Sequence, residues 1–246
     1  MDFISGEIIG IDKPLGWTSF DAVKRLRGSI QKRLRLKKFK VGHAGTLDPL
    51  ASGVLIVCTG RATRRIEEIQ SGEKEYVATI ELGATTPSYD LETEIDATYP
   101  ADHINEELAR EVLKSFEGNI MQVPPVFSAV KVNGKRAYKY ARTGKDLQLN
   151  AKPIVIKEIE FISLEDNKLK FRVVCGKGTY IRALARDLGK AMNSGAHLVE
   201  LRRTRVGDIR VEDCLKIDEA VEKIATTTLE FPDFYQSNVS IGDDPE

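Results

Sequence analysis

The sequence predicts an α+β protein with a mixed, mostly antiparallel central sheet flanked by helices and loops. Three observations lead there. Residues 74–82, 154–164 and 168–175 are long strand-like stretches, two of them joined by the short Glu165-Asp166-Asn167 turn. Amphipathic helices are scattered between them and do not alternate with strands as a parallel sheet requires. With 246 residues, 41% apolar and 30% charged, the chain has the make-up of a soluble globular protein. A chain this long buries roughly 70–75% of its unfolded surface and needs no disulfide or metal to hold it together.

Residues 6–12 read as a short strand that stops at the turn signal Lys13-Pro14-Leu15-Gly16. Thr18 and Ser19 are candidate N-caps for a helix. Phe20, Val23, Leu26, Ile30 and Leu34 then recur at helical spacing as a core stripe, leaving Lys24, Arg25, Arg27, Lys32 and Arg33 for the other faces. Residues 42–52 read as loop, 54–58 as a buried strand, 61–70 as a short helix and 85–99 as a polar loop carrying Asp90. Residues 104–116 form an amphipathic helix closed by Gly118. Pro124-Pro125 opens an unusual segment, with a turn at Asn133-Gly134 and then Tyr138 and Tyr140 among five bases. That mixture suits phosphate contact and base stacking, or a plain exposed helix. A helix capped by Thr179 follows, with Ile181, Leu184, Ala185, Leu188 and Met192 buried and Arg182, Arg186 and Lys190 on another face. After residue 206 the chain turns acidic and is expected to end loosely.

The net charge of zero hides an asymmetry. Residues 211–246 hold ten acids and two bases, a net of −8, so residues 1–210 carry +8. Residues 22–47 contain nine Lys or Arg and no acid. A basic body suggests a polyanionic partner, although a charge run alone is more often a solvated helix face. Cys58, Cys175 and Cys214 lack metal-ligand spacing, the first two lie in apolar runs as inert thiols, and the histidines are scattered, so no metal site is expected. The chain has neither an apolar run of membrane-span length nor a signal-peptide start, and it reads as cytoplasmic.

The chemistry concentrates in residues 41–55, where Asp48 is the only acid between Asp21 and Glu67. Leu47, Pro49 and Leu50 flank it, and Gly42, Gly45 and Gly53 permit close backbone approach. An isolated surface acid in a glycine loop is the plain alternative. A reactive carboxylate here would be desolvated and would need a cation partner to stay ionised. Arg182, near the start of its helix, is the best candidate, because a guanidinium pairs a carboxylate with two bonds and keeps its charge. Gly176-Lys177-Gly178-Thr179 fails as a phosphate loop. Tyr76 could stack on a base or fill the core.

Six blocks in register resemble the TruB family of tRNA pseudouridine synthases, which isomerise a uridine in the T arm of tRNA. They are Asp12-Lys13-Pro14-Leu15-Gly16-Trp17-Thr18-Ser19, the run from Gly42-His43-Ala44-Gly45-Thr46-Leu47-Asp48 to Gly53, Lys74-Glu75-Tyr76, Pro124-Pro125 with Ser128-Ala129 and Lys131, Gly178-Thr179-Tyr180-Ile181-Arg182, and His197-Leu198 with Leu201-Arg202-Arg203-Thr204. The resemblance covers roughly residues 8–210 and implies the pseudouridine synthase fold, with one catalytic domain over residues 1–210 and an RNA-clasping insertion at about 123–152. It implies Asp48 as the catalytic carboxylate, Arg182 as its ion-pair partner and Tyr76 packed on the target base. His43 would hold the T loop with its base flipped, and Asp90 would orient the arginine. Lys13, Tyr180, Leu198 and Lys131 complete the implied substrate-binding set. Longer family members carry a PUA-type domain, for which the acidic residues 211–246 are too few. The implied partner is the tRNA T-arm stem-loop, met by a monomer without cofactor, metal or membrane. A T-arm-binding folding helper without catalysis is the alternative from another class. A carboxylate glycosidase is weaker, since it needs a second, suitably spaced acid.

Overall fold

The computed structural model describes residues 1–128 and 149–230, with the backbone of two short strands between them. The chain forms two compact units, Met1–Gln70 with Ile209–Glu246, and Ser71–Asp208.

In the first unit, β1 (Ile8–Lys13) leads to α1 (Ser19–Leu34), β2 (Val41–His43) and β3 (Ala51–Thr59). β1 and β2 both pair antiparallel with β3, from Ile8↔Cys58 to Lys13↔Gly53 and from Val41↔Thr59 to His43↔Val57. The sheet thereby takes both ends of the expected 42–52 loop. Thr18 caps α1: its hydroxyl accepts from the Asp21 amide at 3.0 Å and the Asp21 carboxylate accepts from the Thr18 amide at 3.0 Å. The buried stripe is Ser19, Ala22, Val23, Leu26 and Ile30, with Leu34 half-buried. Phe20 is 60% exposed, contrary to its expected core place. Ser19 and Ala22 take the inward positions of the first turn, which rotates Phe20 outward beneath the Arg27 guanidinium, 5.7 Å from the ring centre. A 3₁₀ turn, Gly60–Arg65, precedes α2 (Ile66–Ser71).

The second unit opens with β4 (Lys74–Leu82), matching its expected bounds. The expected polar loop contains a small ribbon, β5 (Ala84–Thr85) against β6 (Ala97–Thr98). α3 (Glu106–Ser115) is capped by the Asn105 side chain, which accepts from the Leu108 amide at 2.9 Å. β7 (Gly118–Gln122) follows, then β8 (Lys131–Val132) and β9 (Lys135–Arg136), which pair on either side of Asn133-Gly134 as a hairpin signal predicts. β10 (Lys152–Glu165) and β11 (Lys168–Cys175) form a hairpin whose corner residues Asp166 and Asn167 have φ 48 and 60. Two successive left-handed residues match strand twist, and Asp and Asn tolerate that conformation best after glycine. α4 (Ile181–Ala191) precedes β12 (Ala196–Val206). The strand order is β12-β4-β11-β10-β7, each neighbour antiparallel. All five expected stripe residues of α4 are buried. Its N-cap is Tyr180, one residue later than expected, with no side-chain cap bond.

The described part of the acidic C-terminal stretch, residues 211–230, is more ordered than expected. Leu215 joins β1, its amide donating to the Gly10 carbonyl at 3.0 Å and its carbonyl accepting from the Asp12 amide at 2.9 Å. α5 (Ile217–Thr226) then buries Ile217, Ala220 and Ile224 in one core with Ala22, Leu26 and Ile30 of α1. Its acids face outward, so the charge pattern concealed an amphipathic helix. Removing the Ile224 side chain should leave a cavity beside α1. Ile224→Ala is expected to lower unfolding free energy by about 2–4 kcal/mol in urea titration. A loss below about 0.5 kcal/mol, the size of a surface change, would show that α5 is not part of the core.

Candidate active site

Within the first unit, Asp48 sits in the loop between β2 and β3, and three ties fix that loop. The Ala44 amide donates to the Ile56 carbonyl at 2.8 Å. The buried Ser19 hydroxyl accepts from the Leu47 amide at 2.8 Å and donates to the Leu47 carbonyl at 2.9 Å. The Gly16 amide donates to the Pro49 carbonyl at 2.8 Å. Gly45 and Gly53 have φ 96 and 103, values that exclude most side chains and explain those two glycines. Leu47 is buried and anchors the loop; Asp48 beside it is half-buried. The carboxylate is therefore held in place without the full desolvation that its apolar neighbours suggested.

Lys13 supports the same loop from below. It is fully buried, and its ammonium donates to the carbonyls of Pro14 at 2.9 Å and Trp17 at 2.5 Å. These bonds shape the turn that delivers Gly16 to Pro49. His43 ends β2, half-buried, opposite Val57.

Within the second unit, Arg182 lies in the first turn of α4 and is only 6% exposed. Its Nε is 3.5 Å from Asp90 Oδ2, and its terminal nitrogens donate to the Ser88 carbonyl at 3.3 Å and the Phe127 carbonyl at 2.9 Å. The structure thus brings two of the expected site residues together, Asp90 and Arg182. Asp90 is itself fixed: its Oδ1 accepts from the Glu92 amide at 3.0 Å and its carbonyl accepts from Thr86 Oγ1 at 2.7 Å. Tyr89, with φ 62, turns the chain sharply and places its ring 4.8 Å from the Arg186 guanidinium, one turn along α4. Burial pushes the adjacent Asp187 carboxyl above the usual range, although Arg186 beside it acts the other way. Arg182, Arg186 and Lys190 grade from buried to half-buried to exposed, so they are not one uniform cationic face.

Tyr76 is 8% exposed on β4, between Val173 of β11 and Arg203 of β12 in register. Lys74 shares its face, with Cys175 opposite. Burial and the nearby Arg203 push the Lys74 ammonium below its ordinary value, and burial lifts the Cys175 thiol to about 11. Cys58 and Cys175 are both buried, as the apolar runs around them imply. Leu198 is buried, and its amide donates to the Tyr89 carbonyl at 2.9 Å, tying β12 to the Asp90 loop. The Tyr180 backbone is held by the buried Gln122 side chain, which accepts from its amide at 2.9 Å and donates to its carbonyl at 3.2 Å. The Lys131 side chain and the Tyr138 and Tyr140 cluster lie outside the described residues.

Ser19, Ser88, Gln122, Lys74 and Arg203 are parts of these arrangements that the sequence did not mark as site residues. Lys74 was legible, since it is two residues from Tyr76 and must share its strand face. Ser19, Gln122 and Ser88 act through partners 28 to 94 positions away, which no local pattern encodes.

Comparison with known proteins follows the same lines. The family description "TruB family pseudouridylate synthase (N terminal domain)" matches residues 31–181, and "tRNA pseudouridylate synthase B C-terminal domain" matches residues 182–230. A tRNA pseudouridine synthase B of Phocaeicola vulgatus is 61% identical over 222 residues, 90% of this chain and 94% of the relative. Its counterpart in Bacteroides fragilis is 58% identical over 233 residues, 95% of this chain and all of the relative. Among solved structures, a chain of a Cbf5-Nop10-Gar1 complex is similar with TM-score 0.66 and 34% identity over 90% of this chain. A chain of an H/ACA RNP bound to a substrate RNA containing 2'-deoxyuridine aligns with TM-score 0.63 and 32% identity over 89%. This chain spans only 55% and 54% of those two solved chains. Fold and sequence together define a pseudouridine synthase, an isomerase that makes pseudouridine. The chain belongs to the TruB family.

The Ser19 hydroxyl holds both backbone groups of Leu47, so Ser19→Ala leaves a buried amide without its partner. Stability should fall by about 1–3 kcal/mol in urea titration. Single-turnover pseudouridine formation should fall as well, with RNA affinity retained. Unchanged stability and rate would remove Ser19 as the support of the Asp48 loop.

Proposed function

We propose that this chain converts the uridine at position 55 in the T loop of tRNA to pseudouridine, with Asp48 as the reactive carboxylate. The observation that carries the reading is the Asp48 loop, a half-buried carboxylate pinned on both sides by Ser19–Leu47 and Gly16–Pro49. The names of the similar relatives support tRNA as the substrate.

The reaction breaks the N1–C1′ bond, turns the uracil and joins C5 to C1′; the C5 hydrogen leaves as a proton and N1 gains one. Nothing is added and no electrons are exchanged, so the chemistry requires no cofactor. Asp48 either attacks C6 of the base or acts at the sugar, and both routes need the carboxylate ionised. Arg182 is its proposed cation partner, suited by a planar fork that pairs a carboxylate with two bonds. Tyr76 packs on the extruded base. Extrusion is needed because the reacting atoms are inaccessible in a folded loop, and it costs a few kcal/mol. His43 helps hold the opened loop. Recognition runs through the T-arm stem-loop, and the protein acts as a cytoplasmic monomer. No described helix is long and apolar enough to cross a membrane.

Tritium release from RNA labelled at uridine C5 tests this directly. Wild-type protein should release it from whole tRNA and from a T-arm stem-loop with kcat/KM values within about tenfold, about 1.4 kcal/mol. Asp48→Asn should bind both RNAs and lose more than about 10³-fold in rate. Release by Asp48→Asn at the wild-type rate removes Asp48 from the chemistry. Binding by both proteins with release by neither would favour an RNA-folding helper.

A further inference from the structure

We propose that the outward face of α1 is a binding groove for the sugar–phosphate backbone of the RNA helix that flanks the target loop. The inference deepens the proposed function and rests on it. An open groove of ≈ 680 Å³ runs along this helix, lined by Gly16, Trp17, Lys24, Arg25, Gly28 and Lys32 among others. A second, of ≈ 430 Å³, shares Arg25 and Lys32 with it and adds Arg33 and Arg35. Lys24, Arg25 and Lys32 are all exposed, and none forms an ion pair among the described residues. The one acid lining the first groove, Asp21, already accepts from the Thr18 amide and hydroxyl in the α1 capping box. From Lys24 to Lys32 is about 12 Å of helix, enough for two or three backbone phosphates.

Two further observations point to RNA. The groove begins at Gly16 and Trp17, and Gly16 is bonded to Pro49 beside Asp48, so the cationic face continues from the reactive loop. Gly28 stands exposed in the middle of α1, and a Cβ built there meets nothing within 4 Å. Packing within the protein therefore does not demand glycine, which weakens a helix interior. A ligand backbone lying close against the helix does demand it.

The test uses a T-arm stem-loop RNA and two variants of the full chain. Neutralising three cations, Lys24→Gln with Arg25→Gln and Lys32→Gln, should weaken binding and flatten the slope of log K against log salt by about 2–3, since each phosphate contributes roughly 0.7–0.9. The single-turnover rate at saturating RNA should stay within about twofold of wild type. Gly28→Gln should raise Kd about tenfold while Tm stays the same or rises, because the new side chain favours helix and fills the groove. A wild-type salt slope in the triple variant, or wild-type affinity in Gly28→Gln, overturns the groove. If wild-type protein binds the RNA but releases no tritium, the catalytic reading fails and the salt slope still judges the groove.

Discussion

Taking a guanidinium out of water costs several kcal/mol unless its donors are met and its charge is balanced. Arg182 is 6% exposed, and the second unit is arranged to meet that demand. Asp90 supplies the opposite charge, and the Ser88 and Phe127 carbonyls accept from its terminal nitrogens. Each partner is fixed in turn. Thr86 and the Glu92 amide hold Asp90, the sharp turn at Tyr89 orients the loop, and Leu198 ties that loop to β12. Gln122 fixes the chain entering α4 through both backbone groups of Tyr180. Loop, strand end and helix start are consistent with one another only if this cation stays where it is.

The first unit solves a different problem with neutral bonds. Asp48 is half-buried, and the burial that holds it falls on its neighbours. Leu47 anchors the loop through Ser19, and Pro49 is tied to Gly16, whose turn is shaped by the buried ammonium of Lys13. α1 therefore serves the site with one face and leaves the other for charge. Its inward residues build the core shared with α5 and also deliver Ser19 to the loop. Its outward residues carry Lys24, Arg25 and Lys32.

The regular elements were legible because their signals are local. The alternation of β4, the Asn105 start and Gly118 stop of α3, and the left-handed corner at Asp166 and Asn167 each follow from residues within one element. Errors arose where a local signal had two readings. Thr18 and Ser19 both suit an N-cap; one caps and the other braces the Asp48 loop 28 positions away. Phe20 fits the helical period of the core stripe, but the first turn buries Ser19 and Ala22 instead. The acids of α5 read as a loose tail because charge density outweighed Ile217, Ala220 and Ile224 at their helical spacing. Asp48, Arg182, Tyr76 and Asp90 stood out through motifs, yet only the fold supplies the Ser88 and Phe127 carbonyls around Arg182 and Gln122 around the Tyr180 backbone.

The central claim is that a buried, oriented guanidinium at position 182 is required for the chemistry and not for holding RNA. Single-turnover kinetics of Arg182→Lys with saturating tRNA, set beside its RNA dissociation constant, test it most directly. Lysine keeps the charge but cannot reproduce the planar fork that meets Asp90 and two carbonyls together. The account predicts a rate reduced by at least about 10²-fold, about 2.7 kcal/mol, with Kd within about threefold of wild type. A near-wild-type rate, or a loss confined to affinity, would contradict it.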